Sequence, residues 1–136
     1  MADLSITAAN VERVDGGKEE WTAGATITAG QVVYLDSSAS NVAKLAQSDG
    51  TEAEADVQGI ALCGASSGQP VLISTNGNID LGATLTVGET YVLSQTAGGI
   101  APVGDLASGD FVTHIGVATA ADNLRISLVS SGVEVP

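Results

Sequence analysis

The stretch Gly-Ala-Thr-Ile-Thr-Ala-Gly-Gln-Val-Val-Tyr-Leu at residues 24–35 recurs as Gly-Ala-Thr-Leu-Thr-Val-Gly-Glu-Thr-Tyr-Val-Leu at residues 82–93. Six of the twelve positions are identical, and the offset between the two stretches is 58 residues. Because the match continues in the same order along the chain, we interpret residues 24–81 and 82–136 as two copies of one unit. Residues 1–23 have no counterpart in either copy, and we call them the N-terminal arm.

Later segments of the two copies align after small changes in length. Residues 59–61 (Gly-Ile-Ala) align with residues 116–118 (Gly-Val-Ala), and residues 71–74 (Val-Leu-Ile-Ser) align with residues 126–129 (Ile-Ser-Leu-Val). Near the end of the first copy, the Asn-Gly pair at residues 76 and 77 favours a tight hairpin turn.

Each copy has the composition of short β-strands, with Val, Ile, Leu, Thr and Tyr separated by Gly, Ser and Asn. In the first copy, strands are expected at residues 25–28, 31–36, 42–45, 57–62, 70–75 and 79–81, with a turn at 37–41 and one helical turn at 51–56. Side chains alternate between the two faces of a strand, so the apolar face that both copies share predicts the core. That core comprises Ile27, Val33, Leu35, Ile60, Ile73, Leu85, Tyr91, Leu93, Val117 and Leu128. We therefore expect an all-β fold, a small barrel or sandwich built from two tandem related halves.

The composition argues against several functions. The chain has 136 residues, 16 acidic and 4 basic residues, and a net charge of −12, which should repel nucleic acid. A single Cys forms no intrachain disulfide, and one Cys with one His builds neither a zinc site nor the usual nucleophile–base pair. We expect no enzymatic activity, no metal and no cofactor.

The amino-terminal sequence lacks the basic and apolar regions of a secretory signal. The apolar runs are much shorter than the roughly 20 residues that a membrane helix needs. We expect a protein that is made in a cytoplasm and does not bind membranes.

The acidic run of Asp49, Glu52, Glu54 and Asp56 offers oxygen ligands, but it lacks the spacing of a calcium loop and is absent from the second copy. We interpret it as a solvated loop that breaks the internal symmetry. His114 and Cys63 are expected to be structural. Paired carboxylates brought together only by the fold remain open at this stage.

The N-terminal arm carries four large apolar side chains, Leu4, Ile6, Val11 and Trp21, which a free tail would not need. Two interpretations remain, a frayed terminus or a segment that docks on another chain. Under the second, these four residues contact another chain, and the remaining β domain, residues 24–136, folds without the arm.

Several stretches resemble small capsid decoration proteins of tailed bacteriophages, also called cement or head-stabilisation proteins, some of whose relatives are labelled head fibre proteins. They are Ala-Asp-Leu-Ser-Ile-Thr-Ala-Ala-Asn-Val at 2–11, Ala-Gly-Ala-Thr-Ile-Thr-Ala-Gly-Gln-Val-Val-Tyr-Leu-Asp at 23–36, the segments at 59–62 and 68–71, and Thr-Ala-Gly-Gly-Ile-Ala-Pro at 96–102. The similarity covers nearly the whole chain, and it depends on the order of motifs that are individually simple.

The resemblance implies a β-tulip or small barrel without enzymatic activity. It also implies a homotrimer, made in the host cytoplasm, on the outer surface of the virion that stabilises the head by bridging subunits of the major capsid protein. The four large apolar residues of the arm would then contact the capsid or a neighbouring subunit. The alternative function is an adhesion or carbohydrate-binding module of the head fibre type. That function would need exposed aromatic side chains, and the chain has only four aromatic residues.

Overall fold

The protein forms short strands throughout its length. The computed structural model describes residues 3–4, 6–37 and 42–136, so most of the predicted turn at 37–41 lies outside the described residues. The strands are β1 (Val11–Arg13), β2 (Lys18–Thr22), β3 (Val32–Asp36), β4 (Val42–Leu45), β5 (Gly59–Ala61), β6 (Pro70–Ser74), β7 (Gly77–Leu81), β8 (Thr90–Leu93), β9 (Ile100–Pro102), β10 (Phe111–Ala120) and β11 (Asn123–Glu134). Two short 3₁₀ helices cover Ala8–Asn10 and Val103–Asp105. The prediction of an all-β fold is confirmed.

The strands form two sheets with one shared strand order. The five-stranded sheet runs β2-β6-β5-β3-β4, and the six-stranded sheet runs β1-β7-β11-β10-β8-β9. If β1 is set aside, the second order repeats the first strand by strand, with β7 in the place of β2. The arrangement is the one expected of two tandem related halves.

The five-stranded sheet curls until its two edge strands meet. Just after β2, Ala23 forms a parallel bridge with Ala43 of β4, and the Gly24 N–H donates to the Ala43 carbonyl at 2.8 Å. The curled sheet encloses a small core of its own, with Trp21 at its margin. The core members are Ala23, Ile27, Val33, Ala43, Ala61, Val71 and Ile73.

The corresponding edges of the six-stranded sheet are linked by the N-terminal arm. The Leu4 N–H donates to the Ile100 carbonyl of β9 at 2.8 Å, and the Thr7 N–H donates to the Gly82 carbonyl, just after β7, at 2.9 Å. Farther along the arm, β1 pairs with β7 and β2 pairs with β6. The arm is therefore not an appendage of a separate β domain: it supplies two strands and joins the edges of the second half.

Most of the predicted core is buried. The structure buries Ile27, Val33, Ile60, Ile73, Leu85, Tyr91 and Leu93, whereas Leu35, Val117 and Leu128 are only partly buried. The opposite face of β3 is buried as well, because Val32 packs into the main core between the two sheets. Strands of the first half thus have apolar partners on both faces.

The strand register corrects one part of the sequence alignment. Ala61 pairs with Ile73, and its counterpart Ala118 pairs with Leu124. Leu124 is fully buried, so it occupies the place that the alignment assigned to Leu128. The alignment placed the strand incorrectly because Ala61 and Ile73 are 12 residues apart in the chain, whereas Ala118 and Leu124 are only 6 apart.

Two other local predictions were wrong. The segment at residues 25–28 forms only an isolated bridge, between Ile27 and Ala65. Asn76 and Gly77 do not close a hairpin, because β6 and β7 belong to different sheets. Instead, they lie where the chain passes from β6 in one sheet to β7 in the other. The connection from β1 to β2 also passes between the sheets, and the two connections are in contact: a Cβ added to Gly16 would stand 2.1 Å from the Asn76 carbonyl oxygen.

Candidate interaction surface

The four arm residues predicted to contact another chain contact the two cores of this chain. Leu4, Ile6 and Val11 pack against the main core, and Trp21 packs against the smaller one. All four are partly buried. The second segment that breaks the symmetry, the acidic loop at residues 48–56, provides a further candidate surface for a partner.

The acidic loop is held in a single helical turn. The Glu54 carboxylate accepts hydrogen bonds from the Thr51 N–H and Oγ1, both at 3.1 Å, and the Glu54 N–H donates to Thr51 Oγ1 at 3.3 Å. This Thr-x-x-Glu arrangement is a capping box, which satisfies the free N–H groups at the start of a helical turn. The Ala55 N–H closes the turn on the Thr51 carbonyl at 3.2 Å.

The turn is fastened to the hairpin of β10 and β11. Thr113 Oγ1 on β10 donates to the Ala55 carbonyl at 2.6 Å, and Ser130 Oγ on β11 donates to Asp56 Oδ1 at 2.9 Å. The Phe111 N–H also donates to the Ser48 carbonyl at 2.8 Å. Two segments that are far apart in sequence thus form one surface.

A groove of about 520 Å³ lies between the acidic turn and the hairpin, and we call it the acidic groove. Its lining combines apolar atoms with two exposed carboxylates. The lining residues are Glu52, Ala53, Ala55, Asp56, Phe111, Thr113, Ser130, Ser131 and Gly132. The Glu52 carboxylate stands beside β11, since a Cβ added to Gly132 would lie 3.0 Å from Glu52 Oε1.

The groove borders an unpaired strand edge. On the side away from β10, β11 pairs with β7 only at residues 124–126. Among the residues that the structure describes, no backbone group bonds to residues 127–134 from that side. Natural sheets usually cover or blunt such an edge, because it offers free N–H and C=O groups to another strand.

The groove carboxylates have no basic partner in the described part of the chain, where the ion pair found is Lys44–Asp36 at 2.8 Å. The hydrogen bond from Lys44 to Asp36 and the charge of that carboxylate raise the pKa of Lys44. Burial, followed by the charges of Asp36 and Glu54, raises the pKa of Tyr34. The basic residues therefore leave the negative potential of the groove uncompensated.

The residues with catalytic potential stand apart. His114 Nδ1 lies 2.6 Å from the Ser127 carbonyl, and Cys63 Sγ accepts a hydrogen bond from the Leu72 N–H at 3.4 Å. Over residues 3–4, 6–37 and 42–136, no three His, Cys, Asp or Glu side chains stand close enough to hold a metal ion. The described residues include no helix long and apolar enough to span a membrane.

Sequence reasoning identified the acidic loop but missed Phe111, Ser130 and Gly132, its neighbours in the groove. The sequence did contain a signal for this part of the groove: residues 126–133 carry no charge, although the chain as a whole is strongly acidic. Comparison with known proteins adds no further residue: no family model matches the chain, and no curated protein is significantly similar to it.

Proposed function

We propose that this protein is a structural component of a tailed-phage virion that binds the outer surface of the capsid and bridges neighbouring major capsid protein subunits. The observation that carries the proposal is the ordered series of stretches, from residue 2 to residue 102, that resembles capsid decoration proteins. The same resemblance favours a homotrimer as the bound form.

Physical features of the chain support this role. A net charge of −12 keeps free copies soluble and mutually repelling until they reach the shell. The body is a two-core β structure with a partner-free strand edge, which suits binding to another protein. On a lattice of identical sites, bridging contacts add avidity, so each contact need only be modest.

The carbohydrate-binding alternative has less support. Sugar-binding clefts use aromatic rings that are open to solvent, whereas Trp21, Tyr34 and Phe111 are partly buried and Tyr91 is buried. The Tyr91 hydroxyl also accepts a hydrogen bond from the Thr86 N–H at 3.0 Å, which holds that ring inside the fold.

The test is to mix the purified protein with expanded phage heads assembled without it, and to image the heads by electron cryomicroscopy. We expect added density at repeated lattice positions, together with heads that withstand higher temperature before they release DNA. Heads that show no added density at saturating protein would rule out the proposed function. Light scattering after size exclusion measures the oligomeric state separately.

A further inference from the structure

We propose that the free edge of β11 receives an extended strand from the partner, and that this strand carries basic side chains on one face and apolar side chains on the other. The assignment of that strand to the major capsid protein rests on the proposed function. Its chemistry is argued from the structure of this chain alone.

The backbone determines where the strand would pair. Beyond Ile126, β11 extends past the end of β7 for eight residues, 127–134, and β10 pairs with Val129, Ser130 and Glu134 of this stretch. Within this stretch, the Ser127 carbonyl contacts His114 Nδ1, and the Val133 N–H donates to Ser131 Oγ. The groups open to a partner therefore lie within residues 128–132, on a short edge that ends where the backbone bends at Gly132, whose φ is +68°.

One face of this edge is acidic. Ser130 and Gly132 both line the acidic groove. The Asp56 carboxylate accepts a hydrogen bond from Ser130, and the Glu52 carboxylate stands beside Gly132. A neighbouring strand would run about 4.8 Å from β11, so its Lys or Arg side chains on this face would reach both carboxylates.

The opposite face is apolar. Neither Val129 nor Val133 lines the acidic groove, and Val129 lies on the face opposite its neighbour Ser130. They are 57% and 61% exposed, which is unusual for large apolar side chains in a sheet. Cross-strand apolar pairs stabilise antiparallel sheets, so these valines favour an incoming strand with Val, Ile or Leu on that face.

Charge also favours a foreign strand over a second copy of this chain. Each copy carries a net charge of −12, and the chain has only four basic residues, of which Lys44 is already paired with Asp36. A strand with alternating basic residues supplies the missing positive charge, whereas a second copy adds more negative charge.

A peptide probe tests the inference without the shell. Acetyl-Lys-Val-Lys-Val-Lys-Val-amide is titrated into the ¹⁵N-labelled full chain, and acetyl-Lys-Pro-Pro-Lys-Pro-Pro-Lys-amide serves as the control. The control peptide has the same three charges but adopts a polyproline conformation that does not pair as a strand. We expect the first peptide to shift the amide signals of residues 52–56 and 128–132 and to slow hydrogen exchange at 128–132, and the control to do neither.

Two double variants separate the groove from general acidity. Replacing Glu52→Gln and Asp56→Asn should weaken binding of the first peptide about three- to tenfold, because two exposed charge contacts are lost. Glu12→Gln with Glu20→Gln removes the same charge from exposed positions on β1 and β2 and should leave binding unchanged. Equal binding of both peptides, or equal losses in both variants, would overturn the inference.

The same variants distinguish this inference from the proposed function. If the natural protein decorates undecorated heads and the Glu52→Gln, Asp56→Asn variant does so equally well, the strand-addition inference fails and the proposed function stands. If the natural protein does not bind heads but the peptide results hold, the proposed function fails and the groove belongs to another basic partner.

Discussion

The two halves share a strand order but complete their sheets in different ways. In the first half, Ala23 bridges directly to Ala43, so the sheet closes with its own residues. In the second half, Leu4 and Thr7 stand between the corresponding edges and bond to both. The difference indicates that the arm is a structural part of the second half.

Deleting residues 2–10 should have the largest effect on stability. The deletion removes Leu4 and Ile6 from the main core and breaks the bonds to Ile100 and Gly82, and we expect the free energy of unfolding to fall by about 3 kcal/mol. Urea titration followed by circular dichroism measures it. An unchanged midpoint would mean that residues 11–136 fold without the first part of the arm, which would contradict the role given to Leu4 and Thr7.

Gly24 and Gly82 occupy equivalent positions in the two halves but have different neighbours. Gly82 has a φ of +64°, and an added Cβ would meet the Thr7 carbonyl oxygen at 2.4 Å, whereas at Gly24 it would meet a methyl group of Val42. Because backbone yields less readily than a side chain, Gly82→Ala should destabilise the protein by about 2 kcal/mol more than Gly24→Ala. Hydrogen exchange should also quicken at the Thr7 amide in Gly82→Ala alone. Equal effects of the two substitutions would contradict the role given to the arm.

A smaller difference between the two halves is found at position 36 and its repeat counterpart, position 94, which bind different parts of the chain. Asp36 pairs with Lys44 of its own half, while Ser94 Oγ donates to the carboxylate of Asp3 in the arm. Ser94→Ala should lower the free energy of unfolding by about 1.5 kcal/mol, since a bond to a charged group is lost.

Ser48→Ala is a matched control for this substitution. Ser48 is as fully buried as Ser94, but its hydroxyl has no hydrogen-bond partner among the described residues, so its removal should be neutral or slightly stabilising. A loss at Ser48 as large as that at Ser94 would show that burial of the side chain, rather than the bond to Asp3, is responsible.

The smallest expected effect is a loss of stability at alkaline pH that originates in the first half. The pKa of Tyr34 is raised by burial and by nearby carboxylates, so folding favours its neutral form. That contribution is complete below the usual pKa of about 10 and is lost as the pH rises through the raised value. The raised pKa of Lys44 acts in the same direction. Unfolding midpoints between pH 9 and 12 should therefore fall less in Tyr34→Phe than in the natural protein, and identical curves would refute the assignment.

The all-β fold and the duplication were predictable because they depend on strand alternation and repeat order, both of which are local. The docking of Leu4 and Ile6 was not, because it compensates for a gap that appears only when the edges of the second half are placed. The Asn76-Gly77 pair misled for a similar reason: Gly77 needs its φ of +85° to pass Gly16 and Asp15, not to close a hairpin.

The candidate surface was predictable in part. The acidic loop was visible in the sequence, and its Thr51-x-x-Glu54 pattern specifies a capped turn. Its neighbours were not visible, because the bond from Thr113 to the Ala55 carbonyl joins residues that are 58 positions apart. The free edge of β11 depends in turn on where β7 ends in the folded sheet.

Hydrogen exchange of the protein, free and bound to undecorated heads, tests the central claim most directly. That claim is that the partner contacts the acidic groove and the β11 edge while the arm stays within its own chain. We predict new protection at residues 52–56 and 128–132 and no change at residues 4 and 6–13. New protection confined to the arm, with none at the β11 edge, would contradict the claim.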